Sequence, residues 1–158
     1  MPTPGGNAAT ASTVGSLVLT GGSSGIGAGL ASDLAGEWDI TVVDRDLPET
    51  PAPGVTYLQG DITTDDAVDT VRKSLTENGR ATIDGIVHCA GIGAFGPFME
   101  MPKSEWERVL LVNLHGTLNF VQGVATWSQT AAESSCSRPG RSSRPRRAQR
   151  RTRPPRPA

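Results

Sequence analysis

The stretch Leu17-Val18-Leu19-Thr20-Gly21-Gly22-Ser23-Ser24-Gly25-Ile26-Gly27 constrains this chain more than any other. A short apolar run reads as a buried strand, and a glycine-rich turn follows. Ile26, Leu30 and Leu34 then recur at helical spacing, which predicts a helix packed through those three. Strand, glycine turn and helix N-terminus together make an anion site. The first N–H groups of a helix lack internal partners, and the positive end of its dipole lies there. Gly21 permits the tight turn. Gly25 lets the backbone approach a pyrophosphate with no Cβ in the way, and Gly27 lets the helix sit close to the strand. Ser23, Ser24 and Ile26 complete the turn. A glycine triplet alone is weak evidence and also fits a flexible loop, but here the strand precedes it and the helix follows.

Further strands and helices alternate behind this unit. Ile40–Val43 reads as a second strand ending at Asp44, and Pro48, Pro51, Pro53 and Gly54 mark a loop. Val55–Gln59 is a third strand. A helix from about Thr64 carries Ala67, Val68, Val71 and Leu75 on one face and stops at Asn78-Gly79. Ile83–His88 is a fourth strand. Ser104-Glu105-Trp106-Glu107 has the form of a capping box, and the helix behind it carries Val109, Leu110, Val112, Leu114, Leu118 and Val121. Strands alternating with helices imply a parallel sheet with right-handed crossovers, an α/β Rossmann-type doubly wound layer.

Charge divides the chain. Residues 1–133 hold all sixteen acidic groups and six basic ones, whereas residues 134–158 hold nine arginines and no acid. Such a split argues for two unlike segments. Residues 1–15 read as a disordered lead-in and 16–128 as the nucleotide-binding domain. Residues 129–158 read as an Arg/Pro/Ser-rich tail that buries too little apolar surface to order itself. No apolar run nears the roughly 20 residues of a membrane span, and no signal peptide is expected. Cys89 and Cys136 lack metal-ligand spacing, and two cysteines suit a reducing, cytoplasmic setting.

The string Thr-Gly-x-x-x-Gly-Ile-Gly over Thr20–Gly27 resembles the cofactor motif of the classical short-chain dehydrogenases/reductases, and residues 16 to about 127 follow that family in order. The resemblance implies hydride transfer between a nicotinamide dinucleotide and an alcohol or ketone. Asp44, at the end of the second strand, stands where an acidic side chain accepts hydrogen bonds from the adenosine ribose. It repels a 2′-phosphate and so favours NAD over NADP, while Arg45 beside it could hold such a phosphate. Asp61 matches the family's contact to the adenine amino group, and Ile62 the residue against the ring. Standing alone, Asp61 could equally cap the next helix. His88-Cys89-Ala90-Gly91 occupies the family's Asn-Asn-Ala-Gly position. Ala90 and Gly91 match it and allow close approach to the nicotinamide ribose. Cys89 is small enough for its place, and His88 reads as structural. Asn113 matches the helix asparagine that, in the family, holds a water behind the catalytic lysine.

The family's chemistry also needs a Ser, a Tyr and a Lys four residues after the Tyr. The sole tyrosine here is Tyr57 and the last lysine is Lys103. Reading the tail one base out of register supplies what is missing. Thr130–Cys136 can then encode Asn-Gly-Gly-Arg-Val-Val-Leu, a turn and a strand. Thr152–Pro157 can encode Tyr-Ala-Ala-Ser-Lys-Ala, and the codon at Pro139 can give Ser, thirteen positions before that Tyr. The expectation is a frameshifted dehydrogenase, broken near Trp127–Thr130, that binds cofactor but does not catalyse. A non-catalytic nucleotide-binding module is the alternative. A third class, nucleic-acid binding through the tail, would be non-specific and salt-sensitive, because the tail has no aromatic residue to stack on bases. Substrate and oligomeric state are left open. With the family's strand order, strand four would form an edge, and poor solubility is expected.

Overall fold

The computed structural model describes residues 14–136. Four strands, β1 (Ser16–Thr20), β2 (Asp39–Asp44), β3 (Val55–Gln59) and β4 (Gly85–His88), form one parallel sheet in the order β3-β2-β1-β4. Helix α1 (Gly25–Leu34) links β1 to β2, and α2 (Asp65–Glu77) links β3 to β4. After β4 come a 3₁₀ turn (Phe98–Glu100), α3 (Lys103–Leu110), a π-helical turn (Leu111–Gly116) and α4 (Thr117–Cys136). The expected α/β Rossmann-type class is the one found. Thr20 pairs with Val43 on one side and His88 on the other, so three strand ends finish level. The chain leaves β1 for β2 on one side and returns to β4 on the other. That reversal makes the crevice where open α/β sheets bind ligands.

Successive residues of β1 face opposite sides of the sheet. Leu17 and Leu19 pack with Ala31 of α1 and with Ile40 and Val42. Val18 joins Val43, the α2 face Ala67-Val68-Val71-Leu75, and Phe120 and Val124 of α4. Burial on both faces explains why β1 and β2 are nearly continuous apolar runs. The α2 face stands as expected from its spacing. Phe120 and Val124, both fully buried, are core residues that the sequence reading passed over. A Cβ at Gly116 would press on Ile62 and one at Gly123 on Val68, so these two glycines set the close approach of α4 to that face.

Three local expectations are corrected. Ile26 is not on the packed face of α1; it is 81% exposed, and Gly27 and Ala31 take the inner positions. The reason is steric: only glycine fits where α1 crosses the turn, and this fixes which side faces in. Ser104 does not cap α3. The helix starts at Lys103 after Pro102, the Glu105 N–H donates to the Pro102 carbonyl at 3.0 Å, and Glu107 is drawn to Lys103 instead (3.3 Å). The domain end drawn at residue 128 falls inside α4, which runs to Cys136. Trp127, Ser128 and Gln129 include no glycine or proline that would stop the helix there. The lead-in up to residue 13 and the tail from 137 lie outside the described residues.

β4 is an edge of the sheet among the described residues, as expected. All four of its residues are half-buried, against five fully buried ones in β1. Leu110, Leu111, Leu114 and Leu118 are also exposed, on the side of the α3–α4 rod away from Phe120 and Val124.

Candidate functional site

The turn after β1 is tied into the sheet. The Gly21 N–H donates to the Val43 carbonyl at 2.9 Å, with φ at +71°. A Cβ on Gly21 would come within 2.6 Å of Ala90 Cα, and one on Gly27 would overlap the Gly21 carbonyl. Both glycines are therefore required by the close crossing of the turn, β4 and α1. Gly25 has φ +53° and open space where a Cβ would be. Ser24 is the N-cap of α1 and makes no side-chain bond to the first turn.

A cavity of about 380 Å³ opens at this crossing. It is lined by the turn (Gly21, Ser24, Gly25, Ile26, Gly27), the β2 end (Asp44, Arg45), the β3 end (Asp61, Ile62) and the β4 end (Cys89, Ala90, Gly91). Twelve of the fourteen residues expected from the sequence thus share one cavity. Ser23 borders an adjoining hollow with Asp44, Asp46 and Glu49. Asn113 is not among the lining residues but bonds to Ile92, which is.

Polar contacts hold the rim in shape. The Ser23 N–H donates to Asp44 Oδ2 at 2.9 Å, which fixes the carboxylate at the mouth. Arg45 turns outward, its Nε and Nη2 donating to Asp46 Oδ2 at 3.2 and 3.0 Å. Asp61 is not the cap of α2; Thr64 is. Asp61 Oδ1 instead accepts from the Thr63 N–H (2.9 Å) and hydroxyl (2.7 Å), closing a local turn. Ile62 is buried beneath the cavity, against Gly116. The Cys89 thiol is free and half-buried in the wall.

Asn113 sits in the π-helical turn. Its Oδ1 accepts the Ile92 N–H at 2.8 Å and its Nδ2 donates to the Ile92 carbonyl at 2.9 Å. The amide thus acts as a short piece of strand that pins the segment after Gly91. Its own carbonyl accepts the Thr117 hydroxyl at 2.6 Å. His88 bridges the remaining gap, with Nδ1 2.7 Å from Thr20 Oγ1 and Nε2 2.9 Å from Thr117 Oγ1. Burial pushes the His88 imidazole below its usual range. Thr117 and Asp46 are contacts that sequence reasoning missed. Asp46 could have been read from its place beside Arg45, whereas Thr117 carries no local signal.

Tyr57 lies in β3 and its hydroxyl accepts the Ala52 N–H at 3.4 Å, a loop contact away from the cavity. Among the described residues no His, Cys, Asp and Glu converge to hold a metal, and no helix is long and apolar enough to cross a membrane.

The fold and the glycine-turn cavity define a Rossmann-type nucleotide-binding domain. The chain belongs to the short chain dehydrogenase family, whose family model matches residues 16–133. It is 33% identical over 125 residues to the short chain dehydrogenase/reductase notP′ of Aspergillus versicolor, covering 69% of this chain and 42% of that protein. It is 30% identical over 107 residues to the 3-oxoacyl-[acyl-carrier-protein] reductase MabA of Mycobacterium tuberculosis, covering 68% and 42%. A crystal structure of a short chain dehydrogenase from Leptospira borgpetersenii with bound NAD+ superposes with TM-score 0.62 at 28% identity, covering 70% of this chain and 44% of that one. The chain therefore spans less than half the length of these relatives.

Proposed function

We propose that this chain is the cofactor-binding half of an NAD-dependent oxidoreductase that moves hydride between nicotinamide and an alcohol or ketone carbon. The observation that carries the cofactor choice is Asp44, held at the cavity mouth by the Ser23 N–H. A carboxylate there accepts ribose hydroxyls and repels a 2′-phosphate. Arg45, the residue that could offset this, is engaged by Asp46, which adds a second negative charge to the rim. The glycine turn and the start of α1 would hold the pyrophosphate, Asp61 and Ile62 the adenine, and Cys89, Ala90 and Gly91 the nicotinamide ribose. When bound, the dinucleotide supplies the hydride donor or acceptor.

The residues that would move the proton are missing from the chain as written. Tyr57 and Lys103 lie on unrelated elements, and no Ser partners a Tyr-x-x-x-Lys motif. We place the frame break near Trp127–Thr130. That the family match ends at residue 133 supports this. Resequencing the gene across those codons tests it directly: an uninterrupted frame there removes the proposal. Calorimetric titration tests the cofactor. NAD should bind more tightly than NADP, and equal or reversed affinities would assign the site to NADP through Arg45. The second reading, a nucleotide-binding module without chemistry, draws on the filled core around Val18, Phe120 and Val124. A cooperative melt from a monodisperse, NAD-binding chain would favour it.

A further inference from the structure

We infer that His88 is a positioning residue, which through Thr20 and Thr117 locks the β1 end and the Asn113 turn into one unit and so sets the nicotinamide end of the cavity. This inference rests on the cofactor reading above. It begins with one proton. The Thr117 hydroxyl spends its hydrogen on the Asn113 carbonyl, 2.6 Å away. Toward His88 it can only accept, so His88 Nε2 carries the hydrogen. In a neutral imidazole Nδ1 is then an acceptor, and the Thr20 hydroxyl must donate to it. Thr20 Oγ1 in turn lies 3.4 Å from the Ala90 N–H and can accept from it.

The result is a single directed chain: Ala90 N–H to Thr20, Thr20 to His88, His88 to Thr117, Thr117 to Asn113. Burial disfavours the charged ring and keeps the imidazole neutral, as this polarity requires. Both ends of the chain touch the cavity wall. Ala90 is part of it, and so is Ile92, which Asn113 pins through its side-chain amide. The three elements joined have no covalent neighbour in common: His88 is 68 residues from Thr20 and 29 from Thr117. An asparagine at position 88 is shorter than the imidazole, whose two nitrogens reach Thr20 and Thr117 from opposite sides of one rigid ring.

The test uses the full chain, with ADP and NAD as probes. The two ligands share the adenosine diphosphate part, and only NAD carries the second ribose and the nicotinamide, so their affinity ratio isolates the nicotinamide end. His88→Phe keeps a ring without nitrogens, and Thr117→Val trades the hydroxyl for a methyl. Each should lower NAD affinity by about tenfold, the scale of one buried hydrogen bond, and leave ADP affinity within about twofold. Nitrogen NMR of the wild type should show His88 protonated on Nε2 and not on Nδ1. Should His88→Phe fail to fold, Thr117→Val decides. An Nδ1–H tautomer, unaltered NAD binding in the variants, or equal losses for both ligands would each overturn the inference. If the wild type binds neither ligand, the cofactor reading falls and takes this one with it; if it binds both and the variants match it, only this inference falls.

Discussion

On the β2 side of β1 every central residue is covered. Ile40, Val42 and Val43 are fully buried, and α1 and α2 close the two faces. On the β4 side the same kind of apolar strand is only half-buried, and four leucines of the α3–α4 rod face outward nearby. The two sides also differ in what holds the cavity. The adenosine side rests on backbone N–H donors: Gly21 to the Val43 carbonyl, Ser23 to Asp44 and Thr63 to Asp61. The nicotinamide side rests on long-range side-chain bonds among Thr20, His88, Thr117, Asn113 and Ile92. A site can thus have one half held by the backbone of short motifs and another held by side chains that meet only in the fold.

The difference in cover gives the largest expected effect. Ile40→Ala removes a fully buried side chain and should cost about 2–5 kcal/mol in urea unfolding, whereas Ile86→Ala on β4 should cost less than half as much. Equal costs would mean that β4 is covered in solution. Size exclusion over a concentration series bears on the same point. The open strand and the leucines predict earlier elution as concentration rises, and a constant monomer volume would break the comparison.

Gly27→Ala comes next. Its Cβ would overlap the Gly21 carbonyl, and overpacking of this kind costs about 1–3 kcal/mol. A lower melting temperature together with weaker NAD binding is expected, and an unchanged melt would show that the turn has room to shift. Asp44→Ala should weaken NAD by about tenfold while NADP affinity stays level or rises. A parallel loss of both would detach Asp44 from cofactor choice.

The smallest effect sharpens the nicotinamide side. Burial holds the folded-state pKa of His88 below the usual 6.5, so as pH falls the unfolded chain takes up that proton first. His88's contribution is intact above about 6.5 and is lost below it, down to the lowered folded-state value. Melts between neutral and mildly acid pH should therefore decline more steeply for the wild type than for His88→Phe. Parallel slopes would show that His88 is not shielded.

What the sequence disclosed follows the same division. Gly21, Gly27, Asp44 and Asp61 lie in short motifs at the ends of apolar runs; the parallel sheet followed from the α/β alternation, and its strand order from the family resemblance. The misreadings came where two patterns compete. Ile26 matched a helical period, but the steric demand at Gly27 turned it outward. Ser104 and Glu107 had the spacing of a cap, but Pro102 started the helix earlier. The rod has apolar residues all round, so Leu114 and Leu118 looked as eligible for the core as Phe120 and Val124. The His88 bridge was invisible because its partners are distant in sequence.

The π-helical turn over Leu111–Gly116 makes the length of this segment a property in its own right. Such a turn holds one residue more than the α-helical ladder on either side of it needs, and each residue of a helix rotates the chain by about 100°. Residues of a π turn each rotate the chain by less than that, so the surplus residue is taken up without turning α4 about its axis. Phe120 and Val124 therefore keep their place against the sheet, and Thr117 its place beside His88. Wound as plain α-helix with the same number of residues, the segment would pass the surplus on to α4 as a rotation of about 100° and change which side of it is the inside.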